Sequence, residues 1–159
     1  MEQRTIRPAP VRRTLTVAAE ADKAFKVFTD RMASWWPSTH SIGSAPFKEI
    51  ILEPRAGGRW FERGTDGAEC EWGHVLAFDP PRRLLLAWQL GADWKYDPNL
   101  ITEVEITFTP VGETETRVEL EHRNLERYGE ATQRVREAVG GDRGWATVLA
   151  CFAEAASIR

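Results

Sequence analysis

Three histidines, His40, His74 and His122, are the residues of this 159-residue chain best suited to moving a proton. Histidine titrates near neutral pH, so it can transfer a proton or hold a polar ligand group. His40 lies in a loop beside aromatic residues, where it would either contact a ligand or pin the loop by a hydrogen bond. His122 alternates with apolar residues, which is more typical of a hydrogen-bonded core histidine. His74 is expected to face solvent.

Two glutamates, Glu62 and Glu71, lie on predicted strands where acid–base chemistry could occur. A carboxyl group that faces an apolar interior changes its affinity for a proton, so an inward glutamate can act as an acid or a base. The alternative, which the sequence favours, is a salt bridge at the rim of the sheet with Arg59 or Arg63.

The direction of Glu71 depends on the phase of a predicted strand over residues 69–78. Strict alternation places His74 on the more apolar face of this strand. A β-bulge near Val75 would instead bring Val75 and Phe78 to one face. Glu71 would then face inward and His74 outward, and this second phase is the prediction.

Tryptophan is unusually frequent, with seven residues in the chain. Trp60, Trp88 and Trp145 fall on predicted inward faces, where they would line a cavity or fill a solid core, and the cavity is the prediction. The other candidates among the tryptophans lie in loops or at a helix end, positions typical of the rim of a mouth or interface. For Trp35 the alternative is that it fastens a short helix. The predicted ligand-binding set is Trp35, Trp36, His40, Trp60, Glu71, Trp88, Trp94, Phe108, His122 and Trp145.

The sequence contains no motif for metal binding, phosphate binding or covalent catalysis. A metal site needs three or four converging ligands, and no His or Cys pair has ligand spacing. No Gly-x-Ser-x-Gly motif occurs. Gly57 and Gly58 precede a predicted strand, so they fit a tight turn rather than a phosphate loop. Neither a metal nor a cofactor is therefore expected.

Composition excludes several classes of protein. The net charge is −3 and no basic run occurs, which argues against a nucleic-acid binder. The apolar stretch at residues 84–88 is far shorter than the roughly 20 residues that cross a membrane, so no membrane insertion is expected. No apolar leader follows Met1. The prediction is a single cytoplasmic domain over residues 1–159, with residues 1–10 as a loose arm.

Hydrophobic periodicity divides the chain into one strand, a pair of helices, six more strands and a helical C-terminal part. Strands are predicted at residues 11–17, 47–53, 59–64, 69–78, 83–90, 100–109 and 116–124. Helices are predicted to begin at residues 18–22, to carry residues 32–36, to span residues 130–139 and to follow residue 142.

The last helix is expected to lie in the grip of the sheet. Six consecutive strands joined by short turns indicate an antiparallel sheet, and one of its faces must be covered. The last helix is the long amphipathic element available, with apolar residues at Trp145, Val148, Leu149, Phe152 and Ala156. The sequence therefore predicts an α+β fold in which a curved sheet of about seven strands wraps around this helix and leaves a space between them.

Seven short segments, in this order and spacing, carry a family resemblance. They are A-F-x-V-F-T-D (24–30), W-W-P (35–37), T-H-S-I-G (39–43), E-P-R-x-G-G-R-W (53–60), W-G-x-V (72–75), D-P-P-R-R-L (79–84) and E-H (121–122). They resemble the bacterial branch of the family named after the activator of heat-shock-protein-ninety ATPase. That branch belongs to the helix-grip (SRPBCC) superfamily, which also holds START lipid-transfer domains and polyketide cyclases. The resemblance covers residues 11–158.

The resemblance implies a helix-grip fold and a ligand between the sheet and the last helix. The expected function is binding of a small hydrophobic or aromatic molecule in that cavity, a lipid included. One alternative is a cyclase-like or hydrolase-like enzyme that uses His40 or His122 as acid and base. Another is a regulator that acts through its surface on a larger ATPase, as a co-chaperone does. The sequence leaves a protein partner or a homodimer open.

Overall fold

A computed structural model describes residues 9–157, so the arm predicted over residues 1–10 lies outside the described residues except for its last two. The strands are β1 (Val11–Val17), β2 (Phe47–Leu52), β3 (Arg59–Gly64), β4 (Glu69–Asp79), β5 (Arg83–Trp88), β6 (Thr102–Pro110) and β7 (Thr116–Arg123). The helices are α1 (Ala21–Thr29), α2 (Met32–Trp35), a 3₁₀ helix (Leu125–Ala131), α3 (Thr132–Gly140) and α4 (Trp145–Ala156).

All seven strands form one antiparallel sheet in the order β1-β7-β6-β5-β4-β3-β2. The period of two in the sequence gives the sheet one apolar face. On β5, Leu84 and Leu86 are buried, and they lie opposite Ile106 and Val104 of β6. The predicted seven-stranded antiparallel sheet is confirmed.

Helix α4 lies against the apolar face of the sheet and against α1, α2 and α3. Its predicted apolar stripe is buried from end to end: Trp145, Val148, Leu149, Phe152 and Ala156. Residues spaced three and four apart share one side of a helix, so the stripe turns a single face toward the sheet. The predicted helix-grip fold is confirmed.

Two aromatic clusters divide the inner space. Phenylalanines fill one end, where the Phe25 and Phe108 rings lie 5.2 Å apart and the Phe28 and Phe152 rings 5.0 Å apart. Tryptophans occupy the other end. Phe108 was expected to line the cavity, but the structure places it in the close-packed phenylalanine cluster.

Two β-bulges set the direction of the side chains on β4. The predicted bulge near Val75 is confirmed, since the pairing with β5 shifts between Val75 and Ala77. A second bulge lies on the β3 side, where Trp60 faces Gly73 and Phe61 faces Glu71, so that Trp72 is the extra residue.

The second bulge corrects the expected direction of Glu71. It turns Trp72 inward, where only 3% of its surface is exposed. Glu71 consequently lies beside Phe61 on the outer face and forms an ion pair with Arg59. The inward orientation predicted for Glu71 is wrong, whereas the alternative of a salt bridge is confirmed for this residue.

The outer face of the sheet is covered by ion pairs. Arg123 of β7 binds Glu103 and Glu105 of β6 and Glu121 of its own strand, with nitrogen–oxygen distances of 2.9–3.0 Å. Burial alone would raise the pKa of Glu105, but hydrogen bonds from Arg83 and Arg123 lower it. Ion pairs thus link neighbouring strands on the outer face. Among residues 9–157, no helix has the length and apolarity to cross a membrane.

Candidate functional site

A cavity of about 700 Å³ opens at the tryptophan end of the grip. Its volume is in the range of pockets that take drug-sized ligands. Its walls come from the loop before β2, from β4, β5 and the loop after β5, and from α3, α4 and the loop between them. The lining residues are Trp36, Thr39, His40, Ser41, Ile42, Trp72, Trp88, Trp94, Ala138, Val139, Arg143, Gly144, Trp145, Thr147 and Val148.

The tryptophans form one continuous network. Trp72 lies 5.4 Å from both Trp36 and Trp88, measured between ring centroids, and Trp88 lies 5.5 Å from Trp145. Trp60 packs behind this layer, 5.8 Å from Trp88. Most of these pairs meet edge to face, the geometry that aromatic quadrupoles favour. Indole walls of this kind suit an apolar or aromatic ligand.

Trp94 is the exposed member of the network. Its ring lies 6.3 Å from that of Trp88, and 42% of the residue is exposed. Its φ is +63°, a left-handed conformation that is uncommon for a bulky residue. The turn is closed by hydrogen bonds from Trp94 N to Gly91 O and from Gly91 N to Lys95 O. A large apolar side chain is therefore held at the mouth of the cavity at a cost in backbone strain.

His40 ties together two loops at the rim. Its Nε2 lies within hydrogen-bond distance of the carbonyl oxygen of Arg143, and its Nδ1 lies 3.0 Å from the Thr39 hydroxyl. A carbonyl only accepts, so Nε2 carries the proton. The Trp36 indole also donates to the carbonyl of His40 at 2.9 Å. The loop-pinning role is confirmed, and the ring still lines the cavity.

Glu62 fastens the same loop from inside. Its side chain is buried beside Trp60 and accepts three N–H groups: Ile42 N at 2.6 Å, the Trp72 indole at 2.9 Å and Gly43 N at 3.1 Å. The salt bridge with Arg59 or Arg63 that the sequence favoured for Glu62 is therefore not formed; Glu62 makes these hydrogen bonds instead. Gly43 leaves room for this approach, since a Cβ there would lie 3.1 Å from a carboxylate oxygen, a tight contact.

His122 is a core residue within a chain of hydrogen bonds. The Trp145 indole donates to Nδ1 at 3.1 Å, and Nε2 donates to the Thr102 hydroxyl at 2.8 Å, which in turn donates to the carbonyl of Trp88. Burial lowers the pKa of His122 to about 3. Both ring nitrogens are engaged and the ring is neutral at pH 7, so His122 positions Trp145 and does not line the cavity.

The wall contributed by α3 and α4 depends on a close turn. A Cβ at Gly144 would lie 2.1 Å from the carbonyl of Val139, so only glycine lets the end of α3 meet the start of α4 here. This turn brings Arg143 and Thr147 to the cavity. Sequence reasoning did not find these residues, because the glycines at 140, 141 and 144 indicate a turn but not the direction of its side chains.

The predicted site residues fall into two groups. The structure brings together at the cavity Trp36, His40, Trp88, Trp94 and Trp145. Trp35 packs against Trp36 and donates its indole N–H to Val27 O at 2.7 Å, as expected for a residue that fastens the short helix. Trp35, Trp60, Glu71, Phe108 and His122 do not line the cavity. Trp72 does line the cavity, and the sequence did not predict this because the second bulge of β4 was not foreseen.

Within residues 9–157, no cluster of three or more His, Cys, Asp or Glu side chains has an arrangement that could hold a metal ion. The polar groups of the cavity are instead a few hydroxyls, one imidazole and one guanidinium.

Residues 18–157 match the family described as Activator of Hsp90 ATPase homolog 1-like protein. The chain belongs to this family. The resemblance found in the sequence is thereby confirmed for this Hsp90-ATPase-activator-like protein. No curated protein sequence matches it significantly.

Two solved structures are 37% and 34% identical in sequence to this family member. One is described as an anthrahydroquino-gamma-pyrone synthase, Txn09, complexed with SUM; it is 37% identical, with 93% of this chain and 97% of that chain covered and a TM-score of 0.66. The other is CalC from Micromonospora echinospora, described as a self-sacrificing resistance protein, at 34% identity, 93% and 94% coverage and a TM-score of 0.68. CalU16 from Micromonospora echinospora, at 24% identity, 99% and 88% coverage and a TM-score of 0.58, shows the fold alone.

Proposed function

We propose that this protein binds a small, largely apolar or aromatic molecule in the tryptophan-lined cavity. The observation that carries the proposal is the cavity of about 700 Å³ with five tryptophans in its wall. Flat indole faces bury a planar apolar body, and the few polar groups at the rim would set its orientation. The likeness to Txn09, a synthase in complex with a bound molecule, and to CalC, a resistance protein, supports a small-molecule role.

A matched pair of variants tests this proposal. Trp94 and Tyr96 lie in one loop and are each 42% exposed, but only Trp94 lines the cavity. The neutral dye N-phenyl-1-naphthylamine gains fluorescence in apolar sites. We expect saturable binding to the wild type, with affinity about three- to tenfold lower in Trp94→Ala, the usual worth of one aromatic contact. Tyr96→Ala should bind as the wild type does.

The proposal fails if the wild type shows no saturable fluorescence gain. It also fails if Tyr96→Ala weakens binding as much as Trp94→Ala, since the dye would then sit on the exposed loop. Circular dichroism checks that both variants keep the fold.

A second candidate is catalysis in the same cavity, favoured by the 37% identity with a synthase. His40 supplies the imidazole among the lining side chains, and it could transfer a proton once its bonds to Thr39 and to the carbonyl of Arg143 are released. An enzyme of this kind should convert an anthrahydroquinone-type precursor of a gamma-pyrone in a time course followed by mass spectrometry. His40→Gln would then lose turnover with little loss of precursor binding, whereas a binding protein would return the precursor unchanged.

A further inference from the structure

Arg143 gives the cavity its charge. The lining residues include no aspartate and no glutamate, and Arg143 is the single lysine or arginine among them. The whole chain carries a net charge of −3. The side chains that line the cavity therefore carry one positive charge and no negative one, and such a charge attracts an anion locally.

The guanidinium of Arg143 is also unused. Within residues 9–157 the guanidinium forms no ion pair and no hydrogen bond, and the bond between Arg143 and His40 is made by the carbonyl oxygen of Arg143. Arg59 and Arg63 on the outer face, in contrast, are engaged by carboxylates: Arg59 by Glu69 and Glu71, and Arg63 by Glu49 and Glu69. A guanidinium has five N–H donors in a planar fork that fits a carboxylate or sulfonate.

The backbone holds Arg143 at the rim. His40 binds its carbonyl oxygen, and the next residue, Gly144, donates to Gly141 O at 3.0 Å. Trp145 follows directly as the first residue of α4, and its indole is part of the tryptophan wall. An anionic group near the Arg143 side chain could therefore belong to a molecule whose body lies against that wall.

We propose that Arg143 selects ligands that combine a planar aromatic body with an acidic substituent at one edge, such as a carboxylate, sulfonate or acidic phenol. This inference rests on the proposed function and names the class of molecule that the cavity takes. The aromatic body packs among Trp36, Trp72, Trp88 and Trp145, and the anion pairs with the guanidinium at the solvent edge. Because the charge stays at the rim, its pairing carries little desolvation penalty.

Two dyes with one skeleton test the selection. N-phenyl-1-naphthylamine is neutral, and 8-anilinonaphthalene-1-sulfonate adds only a sulfonate. We expect the wild type to bind the sulfonate more tightly than the neutral dye. Arg143→Gln should lower sulfonate affinity about fivefold, as for a rim ion pair, and change neutral-dye affinity less than twofold. As the salt concentration rises, the difference between the affinities of the wild type for the sulfonated dye and for the neutral dye should decrease.

Arg134→Gln is the matched control, because Arg134 is an exposed arginine of α3 that does not line the cavity. It should leave both affinities unchanged. Arg143→Glu should reverse the preference, so that the neutral dye binds more tightly than the sulfonate.

The outcomes separate the two proposals. If neither dye binds the wild type, the proposed function itself fails. If the neutral dye binds but Arg143→Gln weakens both dyes equally, Arg143 only packs against ligands and the selection is overturned. Equal loss of sulfonate binding in Arg134→Gln and Arg143→Gln also overturns it, because general surface attraction then explains the effect.

Discussion

The chemistry of each polar residue in the grip depends on which of its hydrogen bonds are already made. His122 and Glu62 are both buried among tryptophans. His122 is neutral, with both ring nitrogens bonded, whereas Glu62 accepts three N–H groups. Both act by fixing neighbours. At the rim, His40 uses both ring nitrogens to hold the loops, whereas Arg143 keeps a guanidinium that a ligand can reach.

The depressed pKa of His122 predicts acid sensitivity. As pH falls below about 6.5, His122 gains a proton in the unfolded chain but stays neutral in the fold until about pH 3. The unfolded state therefore binds more protons in this window, and the free energy of unfolding falls with pH. We expect a loss of about 2 kcal/mol between about pH 7 and pH 5 from this residue, measured by urea denaturation.

The control for this pH dependence is a second histidine. His122→Gln should be less stable at pH 7, but its free energy of unfolding should fall less between about pH 7 and pH 5 than that of the wild type. His74→Gln, on the outer face, should show the same fall as the wild type, because His122 is still present. If the free energy of unfolding falls equally with pH in the wild type and in His122→Gln, the neutral, buried state of His122 is contradicted.

Because Glu62 holds the loop at residues 38–46, its replacement should affect both the stability of the protein and the rim of the cavity. Glu62→Gln replaces one carboxylate oxygen by an NH₂ group, which meets an N–H donor where an acceptor is needed. We expect a loss of about 1–3 kcal/mol of stability, the cost of leaving a buried donor unsatisfied, and weaker binding of the neutral dye as the 38–46 loop loosens. Urea denaturation and dye titration measure the two effects.

Glu49→Gln is the comparison for Glu62→Gln, since Glu49 pairs with Arg63 in a partly exposed ion pair on the same sheet. It should cost less than about 1 kcal/mol and leave dye binding unchanged. Equal effects of the two changes would mean that Glu62 does not hold the loop.

At the scale of the elements, the sequence predicted most of what the structure shows. The period of two and the turn residues gave all seven strands, and the i, i+3, i+4 stripe gave the buried face of α4. Predicted strand ends differ by at most two residues: β5 ends at Trp88 instead of residue 90, and β6 begins at Thr102 instead of residue 100. Strong local patterns of this kind are readable without tertiary contacts.

The site was less predictable than the elements. Five of the ten predicted ligand-binding residues line the cavity, all of them at its mouth or on the tryptophan wall. The second bulge inserts one residue into β4, so Trp72 lies on the inner face and Glu71 on the outer face, opposite to the prediction. The composition of β4 does not indicate that it has two bulges instead of one. Phe108 has the right alternation for an inward residue, but alternation does not tell a packed end of the grip from a hollow one.

Because α4 packs tightly against the sheet and α1, truncation of Phe152 should strongly reduce the stability of the protein. This side chain is fully buried between Phe28, Trp35 and Phe108. Phe152→Ala should lower the free energy of unfolding by about 3–5 kcal/mol, as buried aromatic truncations do. Glu154→Ala, on the exposed side of the same helix, should change it by less than about 0.5 kcal/mol. A denaturant midpoint unchanged in Phe152→Ala would contradict the packing of α4.

At the scale of the whole molecule, the two ends of the grip differ: one is close-packed and the other contains the cavity. The phenylalanine end is close-packed, and the outer face is tied by ion pairs around Arg123. The tryptophan end has a cavity whose rim consists of two loops, at residues 38–46 and 89–101, and the turn before α4. A rigid half can hold the sheet in shape while the loops at the other end admit a ligand.

Hydrogen exchange tests this division over the whole chain. Amides of the two rim loops should exchange faster than those of β5, whose N–H groups are paired on both sides by β4 and β6. Saturation with N-phenyl-1-naphthylamine should slow exchange in the rim loops, because a bound body at the cavity favours their closed state. The turn between β6 and β7 at residues 111–115 is exposed but does not line the cavity, so its exchange should not respond. Protection that spreads equally to this turn would mean that the dye stabilises the protein globally, and protection absent from both rim loops would exclude them as the entrance.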